Sequence, residues 1–140
     1  MALIWKGHLS VGNALLDFEH KNLIGVVNSI EYTIDTMNRD ALLRTIKQFK
    51  GFADTHFANE ARFAQALNFN FEQHDSAHQH LLKELQQMID ELAAQVGTWP
   101  EYGMDYYPQR LRDWLIGHIA CEDMQMKPVL QAHPYNFKPA

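Results

Sequence analysis

Apolar residues along this 140-residue chain recur every three or four positions and nowhere alternate in the manner of a strand, which is the pattern of amphipathic helices. Ile24, Val27, Ile30 and Ile34 mark a first helix over about residues 17–37, with Asp17 as its expected N-cap. Asn38-Arg39-Asp40 is a break that offers a second cap. The helix after it, about 41–67, carries Leu42, Leu43, Ile46, Phe49, Ala53, Phe57 and Phe63. Asn68-Phe69-Asn70 is turn-like. A third helix, about 71–96, shows Leu81, Leu82, Leu85, Ile89 and Leu92 on one face, and Gly97 with Pro100 supplies its stop. The fourth, about 106–126, tolerates Pro108 in its first turn and runs through Leu111, Leu115 and Ile119 until Pro128.

Four such helices joined by short breaks imply an all-α, up-down-up-down four-helix bundle. Residues 1–16 read as an arm (Leu3, Ile4, Trp5, Val11) laid across the bundle, and residues 127–140 as an irregular, proline-containing tail. No repeat and no second domain is visible, so residues 1–140 form one domain.

Bulk properties narrow the function. The net charge is −5 and no Lys/Arg stripe occurs, which argues against nucleic acid and anionic membranes as partners. No apolar run reaches the length that spans a bilayer, and the N-terminus lacks a secretory leader pattern. With a single cysteine, Cys121, no internal disulfide can form. A cytoplasmic protein is therefore the expectation.

The eight histidines change the picture. His20 lies in the first helix, His56 and Glu60 in the second, His74 and His78 in the third, and His118 and Asp123 in the fourth. Residues four apart share a helix face, so each of the two i,i+4 pairs can reach one common site. Roughly one His-x-x-x-acid match is expected by chance, and a surface ion pair explains any single one. Contribution from all four helices is what a chance pattern does not give. Buried imidazoles without a shared partner would also leave polar nitrogens unpaired at high cost. His118 and Asp123 are five apart and face about 140° apart on a regular helix. A widened, π-type turn near Gly117 is the expected remedy.

One cysteine is too few for the four-thiolate sites of structural zinc or iron–sulfur clusters, and the dominance of nitrogen donors argues against calcium and magnesium. Five imidazoles with two carboxylates suit a divalent transition metal. Ligand type alone leaves zinc open, whereas the count points to two irons. Of twelve octahedral positions, the histidines fill five, two bridging carboxylates four, and an oxo or hydroxo bridge two. One stays open for a small ligand.

Taken in order, Gly12-Asn13 with Asp17-x-x-His20-Lys21-x-Leu23, His56-Phe57-x-x-Glu60, His74-x-x-x-His78 and Trp114-Leu115-x-x-His118-Ile119-x-x-x-Asp123 resemble the hemerythrin family in its single-domain bacterial form. The resemblance covers about residues 5 to 126. It implies that His74, His78 and His118 hold one iron, that His20 and His56 hold the other, and that Glu60 and Asp123 bridge them. Dioxygen would be the ligand of the two-histidine iron, with Leu115 and Ile119 lining its pocket, although ordinary core packing also accounts for both. Many relatives carry a second acid after the bridging glutamate where this chain has Ala61-Arg62. His8, His80 and His133 match no ligand position and are read as surface residues. Cys121 is read as a small buried packing residue, with a thiol near the site as the sharper alternative.

These expectations favour reversible dioxygen binding for storage, delivery or buffering, without enzymatic turnover. An oxygen-consuming enzyme or a signalling protein would be the partner. An oxidase, a peroxidase, a nitric-oxide-handling enzyme or an oxygen sensor are the competing classes. Carboxylate-rich di-iron bundles that activate dioxygen use Glu-x-x-His pairs, and this chain lacks that spacing at its candidate ligands.

Overall fold

A computed structural model describes residues 3–36, 38–94 and 106–139. Four long helices, α1 (Ala14–Asp35), α2 (Arg39–Ala66), α3 (Glu72–Ala94) and α4 (Tyr106–Cys121), make a four-helix bundle, followed by a short α5 (Lys127–Leu130). No strand occurs among the described residues. Helix α1 packs against α2 and α4, and α2 against α3. The connections 36–38 and 67–71 are too short for anything but antiparallel neighbours. The expected end of the third helix, with Gly97 and Pro100, lies outside the described residues. No helix among those described is long and apolar enough to cross a membrane.

The N-cap of α1 is Asn13, not Asp17. Its side-chain oxygen accepts hydrogen bonds from the amides of Leu15 and Leu16, and its Nδ2 donates to the Phe137 carbonyl at 2.8 Å. Asp17, one turn into the helix and buried, instead accepts from Ser10 Oγ (2.5 Å), the Val11 amide (2.9 Å) and the Tyr135 hydroxyl (2.7 Å). A carboxylate satisfied by three donors from arm and tail has no reason to turn back on its own helix end. Arm and tail are thereby tied together at the start of α1. The tail is more ordered than its prolines imply: it includes α5, and Phe137 packs edge-on to Phe63. Leu9 and Val11 of the arm are buried, and Leu3 is hydrogen-bonded through its backbone to Asn28. Replacing Asn13 with alanine removes a cap and leaves the Phe137 carbonyl unpaired. We expect a loss of about 2 kcal/mol in urea denaturation, with helix content unchanged.

The core is in two parts. The larger gathers Leu23, Val27 and Ile30 of α1 with Ile46, Phe49 and Phe57 of α2, Leu81 and Leu85 of α3, and Leu111, Leu115 and Ile119 of α4. The smaller joins Val11 and Leu16 to Phe63, Met126 and Leu130. Along α1, α2 and the fourth segment, the polar residues of interest fall between these two apolar layers.

Candidate metal centre

Helix periodicity that buries Leu16 and Leu23 also buries His20 between them. On α2, His56 and Glu60 are enclosed in the same way between Ala53 and Phe63. His74 and His78 take the core-facing positions of the first two turns of α3. His118 comes from the last turn of α4.

Asp123 reaches the cluster by a route different from the one expected. The helix is regular past Gly117 and keeps the Glu122 N–H to His118 carbonyl bond at 2.8 Å, ending at Cys121. A 3₁₀ segment, Asp123–Met126, follows. The chain therefore tightens after the helix instead of widening within it. That change of pitch re-aims Asp123 onto the face of His118. A Cβ on Gly117 would meet open space, so close packing does not explain that glycine either.

All seven residues come together, each at most 5% exposed. They form two groups that share both carboxylates: His74, His78 and His118 with Glu60 and Asp123, and His20 and His56 with the same two acids. Each carboxylate divides its oxygens between the groups. Glu60 Oε1 lies 2.7 Å from His56 Nε2 and 3.5 Å from His20 Nε2, while its Oε2 lies 3.1 Å from His74 Nε2 and 3.0 Å from His78 Nε2. Asp123 Oδ1 is 2.6 Å from His74 Nε2 and 3.0 Å from His118 Nε2, and its Oδ2 is 2.8 Å from His20 Nε2.

Hydrogen bonding alone does not satisfy this arrangement. His20 Nε2, His56 Nε2, Glu60 Oε1 and Asp123 Oδ2 are buried without a hydrogen bond of acceptable geometry. His78 and His118 point Nε2 at Nε2 across 2.8 Å. Converging lone pairs on five nitrogens and four oxygens are what cations between them would satisfy. The donor set fits two transition-metal ions held by imidazole and bridged by carboxylate.

The electrostatics agree. Burial works against a proton on His56, but Glu60, Glu19 and Asp123 outweigh it and lift its pKa to about 10. His74, also opposed by burial, is raised to about 9 by Asp123 and Glu60. His78 is lowered, chiefly by burial. Against their own burial, Glu60 and Asp123 are held well below the usual carboxylate range by the surrounding imidazoles. Positive charge is wanted here, and the cluster has more bases than protons it can hold.

Of the outer groups, Glu19 and Asn59 have no local spacing to announce them, whereas Glu122 stands four residues after His118. His56 Nδ1 meets Glu19 Oε1 at 2.9 Å, and Asn59 Nδ2 donates to Glu19 Oε2 at 2.7 Å. On the other side, His118 Nδ1 contacts Glu122. Such carboxylates fix the imidazole tautomer and raise its basicity. Phe57 stacks on His78, Phe71 on His74 and Trp114 on His118, so every ring of the three-histidine group has an aromatic backing. His20 and His56 instead pack edge to face on one another. We expect Glu19→Ala to weaken metal binding 10- to 100-fold, read by competition with a chromophoric chelator.

Leu115 and Ile119 are buried in the larger core beside His118. His8, His80 and His133 are at the surface, and so are Ala61 and Arg62. Cys121 is exposed, contrary to the expected packing role; as the last residue of α4, it falls where the chain leaves the helix.

The hemerythrin HHE cation binding domain matches residues 11–130 of the chain. The chain belongs to the hemerythrin family. Its curated relatives include the bacteriohemerythrin of Stenotrophomonas maltophilia (strain R551-3), 25% identical over 136 residues, covering 96% of this chain and 86% of that one. The bacteriohemerythrin of Pseudomonas aeruginosa (strain LESB58) is 22% identical over 121 residues, 86% of this chain and 76% of the relative. Among solved structures, a leucine-to-tyrosine variant of hemerythrin superposes with a TM-score of 0.81 at 22% identity, over 94% of this chain and 99% of that one. At that identity the likeness concerns the fold. The chain thus has a cation-binding domain of this family, with a buried cluster of histidines and carboxylates able to hold a metal.

Proposed function

We propose that the chain binds dioxygen reversibly at a non-haem di-iron centre formed by His20, His56, Glu60, His74, His78, His118 and Asp123. The observation that carries the reading is the division of both carboxylates between a three-histidine and a two-histidine group. Two ions held there would be shared by Glu60 and Asp123 and held unequally by imidazole, His74, His78 and His118 for one against His20 and His56 for the other, which would leave room for one small ligand. Irons bound there supply the reversible electron exchange with dioxygen that protein side chains lack. The residues do the rest. The three backed histidines hold one side rigid, Glu19 keeps the His56 tautomer, and the apolar layer that includes Phe57, Leu115 and Ile119 limits water. Among the described residues, Glu19 and Glu122 contact the cluster from outside, and each is engaged with an imidazole. That supports binding over turnover, for which a free proton donor is wanted. The relatives named bacteriohemerythrin support the same reading.

The test is direct. The purified protein should hold two irons per chain. Its colourless reduced form should turn pink in air and bleach again under vacuum, over repeated cycles. Irreversible bleaching with product formation would favour an oxidase, and zinc in place of iron would overturn the reading.

A further inference from the structure

The seven candidate ligands are enclosed, yet an ion has to reach them. Outside the three-histidine group, the first turn of α3 and the turn bearing Glu122 border a crevice of about 630 Å³. Asn70, Glu72, Gln73 and Gln125 line it and are exposed, so it opens to solvent. His74, 96% buried by virtue of its 4% exposure, forms part of its wall. Glu122 lines it too, and the same carboxylate contacts His118. The crevice thus touches one ligand directly and a second through a single carboxylate.

Its chemistry selects a cation. Two carboxylates and three side-chain amides line it, and no Lys or Arg does. Such a lining attracts positive ions and offers oxygens that exchange for water. Six waters take up about 180 Å³ at ~30 Å³ each, so a fully hydrated divalent ion fits. Dioxygen, uncharged and apolar, gains nothing from this surface. The groove between α1 and α2 has one carboxylate, Glu19, which contacts His56, but Leu15, Phe18 and Phe52 line the rest of it with Asn22 and Thr55, and none of the seven ligands forms its wall.

We propose that this crevice is the port through which divalent iron is loaded, with Glu72 and Glu122 collecting the hydrated ion and His74 and His118 drawing it inward. The proposal rests on the reading of the cluster as a metal centre. Glu72 contacts none of the ligands in the hydrogen-bond or ion-pair network, so changing it tests the approach and leaves the destination intact.

Protein stripped by chelator is mixed anaerobically with ferrous iron in a stopped-flow instrument. Uptake is followed by quenching of tryptophan emission, since Trp114 stacks on His118 with centroids 4.5 Å apart. Final loading is measured by elemental analysis. Glu72→Lys should slow uptake about tenfold at low salt and not at 1 M salt, with final loading unchanged. Glu72→Gln should slow it less, and it keeps the question decidable if the lysine variant folds poorly. Gln125→Phe, which fills the crevice, should slow chelator extraction as well as uptake. Asp54→Lys, exposed on α2, controls for overall charge and should load at the wild-type rate. Uptake by Glu72→Lys within twofold of wild type at low salt, or an equal slowing by Asp54→Lys, overturns the port. A wild-type chain that takes up no ferrous iron overturns the metal centre itself and the port with it, a result distinct from slow but complete loading.

Discussion

Glu60→Gln should hold one metal ion per chain or fewer where the wild type holds two, with what remains extracted by chelator at least a hundredfold faster. Glu60 is one of the two carboxylates through which the halves of the cluster meet: Oε1 faces His56 and His20, and Oε2 faces His74 and His78. A glutamine keeps the shape but offers lone pairs on one side only. Whichever half receives the amide nitrogen loses a donor and gains a repulsive N–H pair. The charge is lost as well, leaving Asp123 alone to balance two ions. Ligand binding stabilises by about 4 kcal/mol when free metal exceeds its dissociation constant a thousandfold, so the variant should also forfeit most of the metal-induced rise in melting temperature. Glu122→Gln, which alters only an imidazole's outer partner, should retain both ions. Elemental analysis after reconstitution decides it, and two firmly held ions in Glu60→Gln would remove the bridge from the argument.

The residues at stake differ in how far the chain alone disclosed them. His20, His56, Glu60, His74 and His78 were legible because helical periodicity is a strong signal, and the apolar neighbours that define the core define their facing too. Asp123 was legible as a ligand and misleading in its geometry. Five residues from His118, it could reach the cluster by a wider helical turn or by leaving the helix; it does the second, in a 3₁₀ segment whose Met126 lies with Leu130 in the smaller core. The cap of α1 differs from the sequence pattern for a related reason. Asn13 and Asp17 are equal candidates by residue type, and the donors that claim Asp17 come from residues 10, 11 and 135, the last remote in sequence. Glu19 meets His56 across 37 positions, which no local spacing announces. Glu122 could have been found, since it stands four residues after His118 on the same face.

The bundle encloses the polar layer between two apolar ones, and bound metal would complete it in the middle. Leu16, Phe63 and Met126 close one side, and Leu23, Phe57 and Ile119 close the other. Neither apolar layer needs the ions, so the fold should survive their removal, while the layer between them would then exchange metal for protons.

That exchange predicts opposite pH dependences for the stripped and loaded protein. In the stripped form His56 is raised from 6.5 to about 10 and His74 to about 9. Between pH 6.5 and 9 the folded chain therefore holds protons that the unfolded chain has released, so stability falls as pH rises, by up to about 1.4 kcal/mol per unit for each retained proton. Glu60 and Asp123 are lowered, so their contribution is present above the ordinary carboxylate range and is lost only as pH falls through and below it. The cluster should thus stabilise the stripped protein most between about pH 4.5 and 6.5. With metal bound, the imidazoles must be neutral and protons become competitors. Metal affinity then climbs over the same window in which the stripped protein weakens. Urea denaturation at pH 6 and pH 8 on both forms separates the cases: the midpoint of the stripped protein should drop at pH 8, and the gap between loaded and stripped should widen. A stripped protein more stable at pH 8 than at pH 6 would mean that the buried histidines do not carry the protons assigned to them.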